Sequence, residues 1–218
     1  MKWIDMLNWE RKNHFRYFMG LDYPHSSICA NLDITHFYQM IKRDQKPFFA
    51  SFLYATSRAA NEIIEFRYRI RNNAVVEHVR VSPSFTIMTS QEVFSFCTAV
   101  YEKEFKLFLD KTTHLIESAK LSVNLEDEPG RDDLLYITSI PWVSFTGITH
   151  PIHMHPVDSI PRISWGKYFD ENGRLKIPLS VQVHHALVDG AHIGHYFEIL
   201  QHMMDHPDAY FLDSPEVD

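Results

Sequence analysis

Apolar residues recur at helical spacing in four segments of the chain, and each segment predicts an amphipathic helix. The first follows Asp33, which has the side chain of a helix N-cap. The others cover 47–63, with a proline in the first turn, then 91–121, and finally 191–208. These four helices account for most of the long apolar stripes in the sequence.

Alternation of apolar and polar residues predicts strands between those helices. A hairpin is expected over 66–88, turning at Asn72-Asn73, and further strands over 134–145 and 176–187. The acidic segment 122–133 is typical of a loop. Helices and strands do not alternate regularly, so the pattern favours an α+β fold, a mixed β-sheet flanked by helices, formed as one domain over residues 1–218.

Composition narrows the class of protein. The chain is 45% apolar and 14% aromatic, which is enough for a large core, and its net charge of −7 argues against a nucleic-acid partner. Cys29 and Cys97 form no CxxC pair and are expected to be reduced thiols. The N-terminus has no apolar signal segment, and no apolar run reaches the roughly 18 residues of a membrane helix. We therefore expect a cytoplasmic protein without a membrane partner.

The stretch 181-VQVHHALVDGAH-192 carries the densest set of polar groups. A strand ends at the two histidines, and Gly190 allows a sharp turn into the next helix. Because neighbouring strand residues point to opposite faces, only one of His184 and His185 can readily point into a given cleft. A neutral histidine near the carboxylate of Asp189 suits general-base chemistry. The simpler interpretation is a polar side chain that merely satisfies its own hydrogen bonds.

The sequence QVHHALVDGAH resembles the signature of the chloramphenicol acetyltransferase family, which reads Gln, apolar, His-His-Ala, two residues, Asp-Gly, aromatic, His. Three further stretches are similar to the family: 9-WERKNHF-15, 141-PWVSFT-146 and 167-KYFDENGRLKIPLSVQVHH-185. The resemblance covers nearly the whole chain. It implies a chloramphenicol acetyltransferase-like fold of the CoA-dependent acyltransferase superfamily, and direct transfer of acetyl from acetyl-CoA to a hydroxyl of a small molecule.

By this resemblance His185 is the general base, and its tautomer is set by a backbone carbonyl. Asp189 pairs with Arg11, and the pair holds the loop that carries the base. Thr138 matches the hydroxyl that donates to the oxyanion, with Ser139 as the alternative.

The resemblance also implies residues that bind the two substrates. Ser164 matches a hydroxyl that holds a water near the intermediate, on the cofactor side. The acceptor pocket positions are Tyr17, Phe18, Asp22, Pro24, Ser26, Ile148, His150 and Ile152, with Phe94 and Phe96 as further wall. The family is homotrimeric, with each active site between two subunits, so a homotrimer is expected.

The chain departs from the family pattern at several positions. Ala191 stands where the signature has an aromatic residue, and Asp22, Ser26 and His150 replace less polar ones. A second hypothesis is therefore an acetyltransferase that acts on a more polar alcohol or amine and handles chloramphenicol poorly. A third is a non-catalytic or metal-binding protein that uses the histidines of 150–155, although we expect no metal because no cysteine or carboxylate stands at a suitable spacing.

Overall fold

A seven-stranded mixed sheet forms the centre of the chain. The computed structural model describes residues 1–121, 123–125 and 130–211. The helices are α1 (Lys12–Met19), α2 (Thr35–Arg43), α3 (Phe48–Glu62), α4 (Phe105–Ala119), α5 (Gly190–Asp205) and the short α6 (Asp208–Phe211). The strands are β1 (Lys2–Trp3), β2 (His25–Asp33), β3 (Tyr68–Arg71), β4 (Ala74–Glu77), β5 (Ser82–Met88), β6 (Phe94–Thr98), β7 (Leu134–Ile140), β8 (Arg162–Gly166), β9 (Phe169–Glu171) and β10 (Arg174–His184).

Strand order shows why the sheet is mixed. The large sheet runs β2-β10-β8-β7-β5-β6, and β9 pairs with β10 at one end. The β5–β7 and β7–β8 pairs are parallel, and the others are antiparallel. A smaller antiparallel sheet has the order β1-β4-β3. The prediction of an α+β fold with a mixed sheet and flanking helices is confirmed.

One face of the large sheet supports the core. Leu179, Val181 and Val183 of β10 are fully buried on this face, which we call the apolar face. The ring of Trp165 on β8 packs against α3, with centroids 5.0 Å from Phe52. Alternate residues of the same strands therefore bury their apolar side chains under the helices, as a period of two requires.

The opposite face of the same strands is polar, and we call it the polar face. Thr138, Ser164, Ser180 and Cys29 lie in one register row across β7, β8, β10 and β2. The adjacent row consists of Tyr136, Arg162, Gln182 and Ser27. Ser164, Ser180 and Gln182 are nonetheless almost fully buried. Polar side chains thus fill positions where a purely structural sheet would carry apolar ones.

The predicted hairpin turn is confirmed, because β3 and β4 pair across Asn72 and Asn73. The hairpin is shorter than the predicted 66–88, because its second strand ends at Glu77 and residues 82–88 form β5 of the large sheet. Both asparagines have positive φ, 50° and 57°, as a two-residue hairpin turn demands. The helix expected after Asp33 begins at Thr35, and the Asp33 carboxylate accepts a hydrogen bond from the Thr35 N–H at 3.0 Å. The strand expected over 134–145 ends at Ile140, immediately before a proline.

The prediction of helix across 91–121 is wrong in its first part. Residues 94–98 form β6, which pairs with β5, and the helix begins only at Phe105. The two phenylalanines 94 and 96 alternate with the more deeply buried Ser95 and Cys97, so the local period is two. Apolar residues at helical spacing further along masked that short alternation.

Three strands of the large sheet were not predicted: β2, β8 and the three-residue β9. The sequences of β2 and β8, HSSICANLD and RISWG, mix polar and small residues and lack a clear apolar run. The loop prediction for 122–133 falls partly outside the described residues, and its described part contains no helix or strand. None of the helices in the described ranges combines the length and the hydropathy that a membrane span needs.

Candidate active site

His185 stands immediately beyond the end of β10. Its backbone N–H donates to the Pro24 carbonyl at 2.8 Å, and its ring stacks on Phe18 with centroids 4.0 Å apart and planes 7° apart. Within the described part of the chain, Nδ1 is enclosed and has no hydrogen-bond partner. Nε2 has no partner there either, but it is not enclosed. The ring therefore presents one open nitrogen.

The backbone carbonyl that we expected to set the tautomer of His185 makes no hydrogen bond to Nδ1 among the residues described. That expectation is not met. The parallel stack on Phe18 fixes the plane of the imidazole instead, because an aromatic ring at 4.0 Å prevents rotation.

Arg11 and Asp189 form the ion pair that joins the N-terminal segment to the turn after β10. Burial raises the pKa of the Asp189 carboxyl, but the hydrogen bond and charge of Arg11 outweigh it, so the pKa lies below its usual value. The Asp189 N–H donates to Nδ1 of His192 at 3.0 Å, which ties the same turn to the first turn of α5. The turn that follows His185 is therefore fixed from two sides.

His184 points away from the stacked ring of its neighbour, as the alternation of side chains predicts. Its ring lies 5.0 Å from that of His25, and its Nδ1 accepts a hydrogen bond from the Ala186 N–H at 3.2 Å. Burial, with a smaller contribution from His25, lowers the pKa of His184 to about 3. This imidazole is neutral at ordinary pH and belongs to the polar face.

A cavity of about 430 Å³ opens on the polar face and is lined by some of the predicted acceptor residues. Its lining includes Phe94, Phe96, Thr138, His150 and Ile152. The other lining residues are Ser84, Phe85, Thr86, Tyr136, Ile137, Pro151, His153, Asp158 and Arg162. The lining therefore combines aromatic rings with a small number of fixed polar groups, as ligand pockets commonly do.

Thr138 and Ser164 lie side by side in the parallel pair of β7 and β8. The Ser164 Oγ is 2.8 Å from Nε2 of His150. Burial, with a contribution from the Arg162 charge, lowers the pKa of His150, so this ring is neutral near pH 7. Ser139, the alternative to Thr138, pairs with Trp165 on the apolar face and is not among the residues that line the cavity.

The cavity carries two opposite charges that are paired. Arg162 forms an ion pair with Asp158, and its guanidinium also lies 5.1 Å from the centroid of the Tyr136 ring. Sequence reasoning missed all three of these residues, and also Gln182. The available signal was the run of polar residues at every second position, Arg162 and Ser164 on β8 and Ser180, Gln182 and His184 on β10.

The predicted site residues separate into two groups within one chain. Phe18 and Tyr17 lie at the His185 end, where their rings contact each other. Ser26 pairs with Val183 and so belongs to the apolar side of the sheet. None of these residues, nor Arg11, His185 or Asp189, lines the cavity that contains Thr138.

The positions that depart from the family pattern also differ in placement. His150 lies in the cavity, whereas Asp22 and Ala191 are exposed and outside its lining. Only His150 thus changes the chemistry of this cavity. In the described residues, no three side chains of the metal-ligating types come together.

A family model for chloramphenicol acetyltransferase matches residues 1–201. The chain belongs to the chloramphenicol acetyltransferase family. It is similar to the chloramphenicol acetyltransferase of Bacillus pumilus, with 31% identity over 209 residues and 95% of each chain covered. As a member of this family it is an acyltransferase.

Solved structures agree on the fold. A chloramphenicol acetyltransferase structure superposes with a TM-score of 0.84 at 27% identity, covering 93% of this chain and 99% of the other. A dihydrolipoamide acetyltransferase from Azotobacter vinelandii gives a TM-score of 0.67 at 17% identity, covering 97% and 93%. The second likeness shows that the fold is shared with a dihydrolipoamide acetyltransferase.

Proposed function

We propose that this enzyme transfers acetyl from acetyl-CoA to a hydroxyl of chloramphenicol or a similar small molecule. Family membership and the names of the relatives support this reaction. The observation that carries it is the imidazole of His185, held flat on Phe18 with Nε2 open. A fixed imidazole with one free nitrogen is what general-base catalysis of acyl transfer requires.

The reaction then proceeds without an acyl-enzyme. Nε2 of His185 takes the proton of the acceptor hydroxyl as that oxygen attacks the thioester carbonyl carbon. The Thr138 hydroxyl donates to the oxyanion of the tetrahedral intermediate. When the intermediate collapses, the C–S bond breaks, and the CoA sulfur leaves with the proton returned by His185.

The remaining predicted residues have supporting roles in this proposal. The ion pair of Arg11 and Asp189 keeps the turn after His185 in place, because a charge pair of this kind fixes geometry more than it adds stability. Ser164 stands beside Thr138 on the acetyl-CoA side, but its hydroxyl is already engaged by His150. A water held by Ser164 must therefore share that hydroxyl with the imidazole.

We propose that the active form is a homotrimer with each site between two subunits. The support is the separation within one chain: the cavity is lined by Thr138 but not by His185, whose open nitrogen lies outside that lining. A second copy of the chain, with its cavity placed against His185 of the first, completes the active site. We further propose that residues 1–218 act as one catalytic unit.

The test is release of CoA thiol from acetyl-CoA in the presence of purified protein and chloramphenicol. We expect turnover that saturates with both substrates, together with a single mono-acetylated product by mass spectrometry. The absence of thiol release with chloramphenicol and with a panel of alcohols and amines would refute the proposed reaction.

A more polar acceptor is the second candidate function, and His150 favours it. This histidine, with the charged pair of Arg162 and Asp158, makes the cavity more polar than an apolar wall would. A polar group buried without a partner against an apolar ligand weakens binding. Comparing kcat/KM for chloramphenicol with that for other alcohols and amines decides between the two candidates.

A further inference from the structure

Another cavity, which we call the α1 groove, lies along the first helix. Its volume is about 480 Å³, and its lining includes Met6, Lys12, Phe15, Arg16, Met19 and Asn73. None of these residues lines the cavity on the polar face. The acetyl transfer proposed above therefore makes no use of the α1 groove.

The α1 residues of the groove share one face of the helix. They stand at positions i, i+3, i+4 and i+7, which places them one above another: Lys12, Phe15, Arg16 and Met19. Successive residues are offset by roughly 100°, so Phe18, which stacks on His185, points to a different side of α1. A ligand in the α1 groove therefore does not contact the ring that holds the base.

The floor of the α1 groove is apolar. Phe15 is only 5% exposed, and Met6 and Met19 are partly buried and pack against the core. The ring of Trp9 packs edge-on against Phe15, with centroids 6.0 Å apart. Unbranched methionine side chains adapt to ligands without a fixed shape. This floor therefore favours a flexible aliphatic chain.

Two cations stand beside this floor without a counter-ion. Arg16 is exposed, and within the described residues its guanidinium makes no ion pair or hydrogen bond. Nζ of Lys12 donates to the Leu7 carbonyl at 2.7 Å but has no carboxylate partner there either. The pKa of Asp5 is lowered chiefly by its hydrogen bond from Asn8 and least by the charge of Lys12. The groove thus carries a positive charge complementary to an anion, in a chain whose net charge is −7.

We propose that the α1 groove binds a free medium-chain aliphatic carboxylate. Its chain lies on Met6, Phe15 and Met19, and its carboxylate lies between Lys12 and Arg16, where a guanidinium can donate two parallel hydrogen bonds. A short anion lacks the apolar contact, and an uncharged chain leaves both cations without a partner. Because the floor is recessed in a cavity, it suits a single chain better than the surface of a membrane. The inference does not depend on the proposed acetyl transfer.

The test is calorimetric titration of the purified protein at low ionic strength, with CoA and chloramphenicol present to occupy the substrate sites. Octanoate, octan-1-ol and propionate separate the contributions of chain and charge. We expect octanoate to bind once per chain and roughly tenfold more tightly than octan-1-ol, the size of two exposed charge contacts. Propionate should give no saturable heat. Octanoate should also change the fluorescence of Trp9, and Trp9→Phe should abolish that change while the heat remains.

Two pairs of variants locate the site. Arg16→Gln should weaken octanoate binding about fivefold, whereas Arg16→Lys should keep most of it. Met19→Gln should weaken it by a similar factor, because the chain loses apolar contact, whereas Met19→Leu should not. The matched controls are Arg80→Gln, at an exposed arginine outside the groove, and Leu107→Gln on the exposed surface of α4. Both controls should bind octanoate as the native protein does, and circular dichroism checks that every variant is folded.

Three results would overturn the inference. The first is an octanoate affinity that stays unchanged in both Arg16→Gln and Met19→Gln, because the ligand then binds elsewhere. The second is equal affinity for octanoate and octan-1-ol, or no saturable heat from octanoate. The third is sedimentation of the native protein with phosphatidylglycerol vesicles but no binding of free octanoate, which would assign this surface to a membrane. Thiol release from acetyl-CoA remains the separate test of the proposed function.

Discussion

The two faces of the large sheet are built from alternate residues of the same strands, yet they have opposite characters. On β10, Leu179, Val181 and Val183 are buried beneath the helices, while Ser180 and Gln182 are buried on the other side among polar neighbours. These β10 residues are buried on both faces, so exposure does not explain the difference. Burying hydroxyl, amide and imidazole groups costs free energy unless they are hydrogen-bonded. Their presence on this face therefore indicates that the face binds a ligand.

The two faces also contribute differently to stability and to ligand binding. The apolar face supplies stability through burial, and its residues are interchangeable with others of similar size. The polar face supplies fixed hydrogen-bonding groups, and its cavity combines them with aromatic rings. Substitutions on the two faces should consequently affect different measurements.

The largest effect is expected from His185, which follows β10 directly. His185→Gln removes the basic nitrogen while preserving much of the side-chain volume. We expect kcat to fall by about a thousandfold, within the usual range for loss of a general base, with little change in stability. His195→Gln, on the exposed side of α5, is the control and should retain activity. Full activity in His185→Gln would remove this residue from the chemistry.

The next largest effect is expected from Thr138 on the polar face. Thr138→Ala should lower kcat by about 10²–10³-fold, because the oxyanion loses its hydroxyl donor. Thr138→Ser should keep most of kcat, because the hydroxyl remains. Steady-state kinetics with a thiol readout measures both. Equal activity in the alanine and serine variants would mean that another group stabilises the oxyanion.

Adjacent substitutions on β10 compare the two faces directly. Leu179→Ala should lower the free energy of unfolding by about 2–5 kcal/mol, because it leaves a cavity beneath the helices. Ser180→Ala should lower it by only about 0.5–1.5 kcal/mol, because it removes one hydroxyl contact with Ser27. Denaturant titration of both variants gives the two values. Similar losses would show that the faces do not differ in what they contribute to stability.

At neutral pH the smallest effect is expected from His184, because its contribution to the pH dependence of stability develops only on acidification. Its pKa is about 3 in the folded chain and 6.5 as the reference value, so between these values the unfolded chain binds a proton that the folded chain does not. Stability should therefore fall as pH falls from 6.5 toward 3, by up to about 1.4 kcal/mol per pH unit for this group. His184→Asn, which can still accept from the Ala186 N–H, should flatten the profile of unfolding free energy against pH. A slope as steep as in the native protein would assign the acid sensitivity to other groups.

Sequence patterns predicted the parts of the fold that follow from the apolar face. The helix α3, the hairpin at Asn72 and the strand β10 were expected because their apolar residues repeat with one clear period. The strands β2 and β8 were missed because half of their side chains lie on the polar face, which weakens the apolar signal. Strand β6 was assigned to a helix for a related reason, since its alternation covers only five residues.

The candidate site likewise contains some features that the sequence predicted and others that it did not. The ion pair of Arg11 with Asp189 was anticipated through the family signature, and the structure contains it. The hydrogen bond between His150 and Ser164 could not be anticipated, because fourteen positions separate the two residues and His150 lies in the irregular segment between β7 and β8. The same is true of Gln182 on β10, whose amide accepts a hydrogen bond from the backbone of His150.

A complementation experiment tests the central claim, that one chain supplies His185 and another the cavity, most directly. The His185→Gln chain has an intact cavity, and the Thr138→Ala chain has an intact base. Unfolding the two inactive variants together in equal amounts and refolding them allows mixed assemblies, in which a random arrangement makes roughly a quarter of the inter-subunit sites complete. We predict recovery of about that fraction of native activity. Activity no greater than the sum of the two separately refolded variants, in verified mixed assemblies, would contradict the shared site.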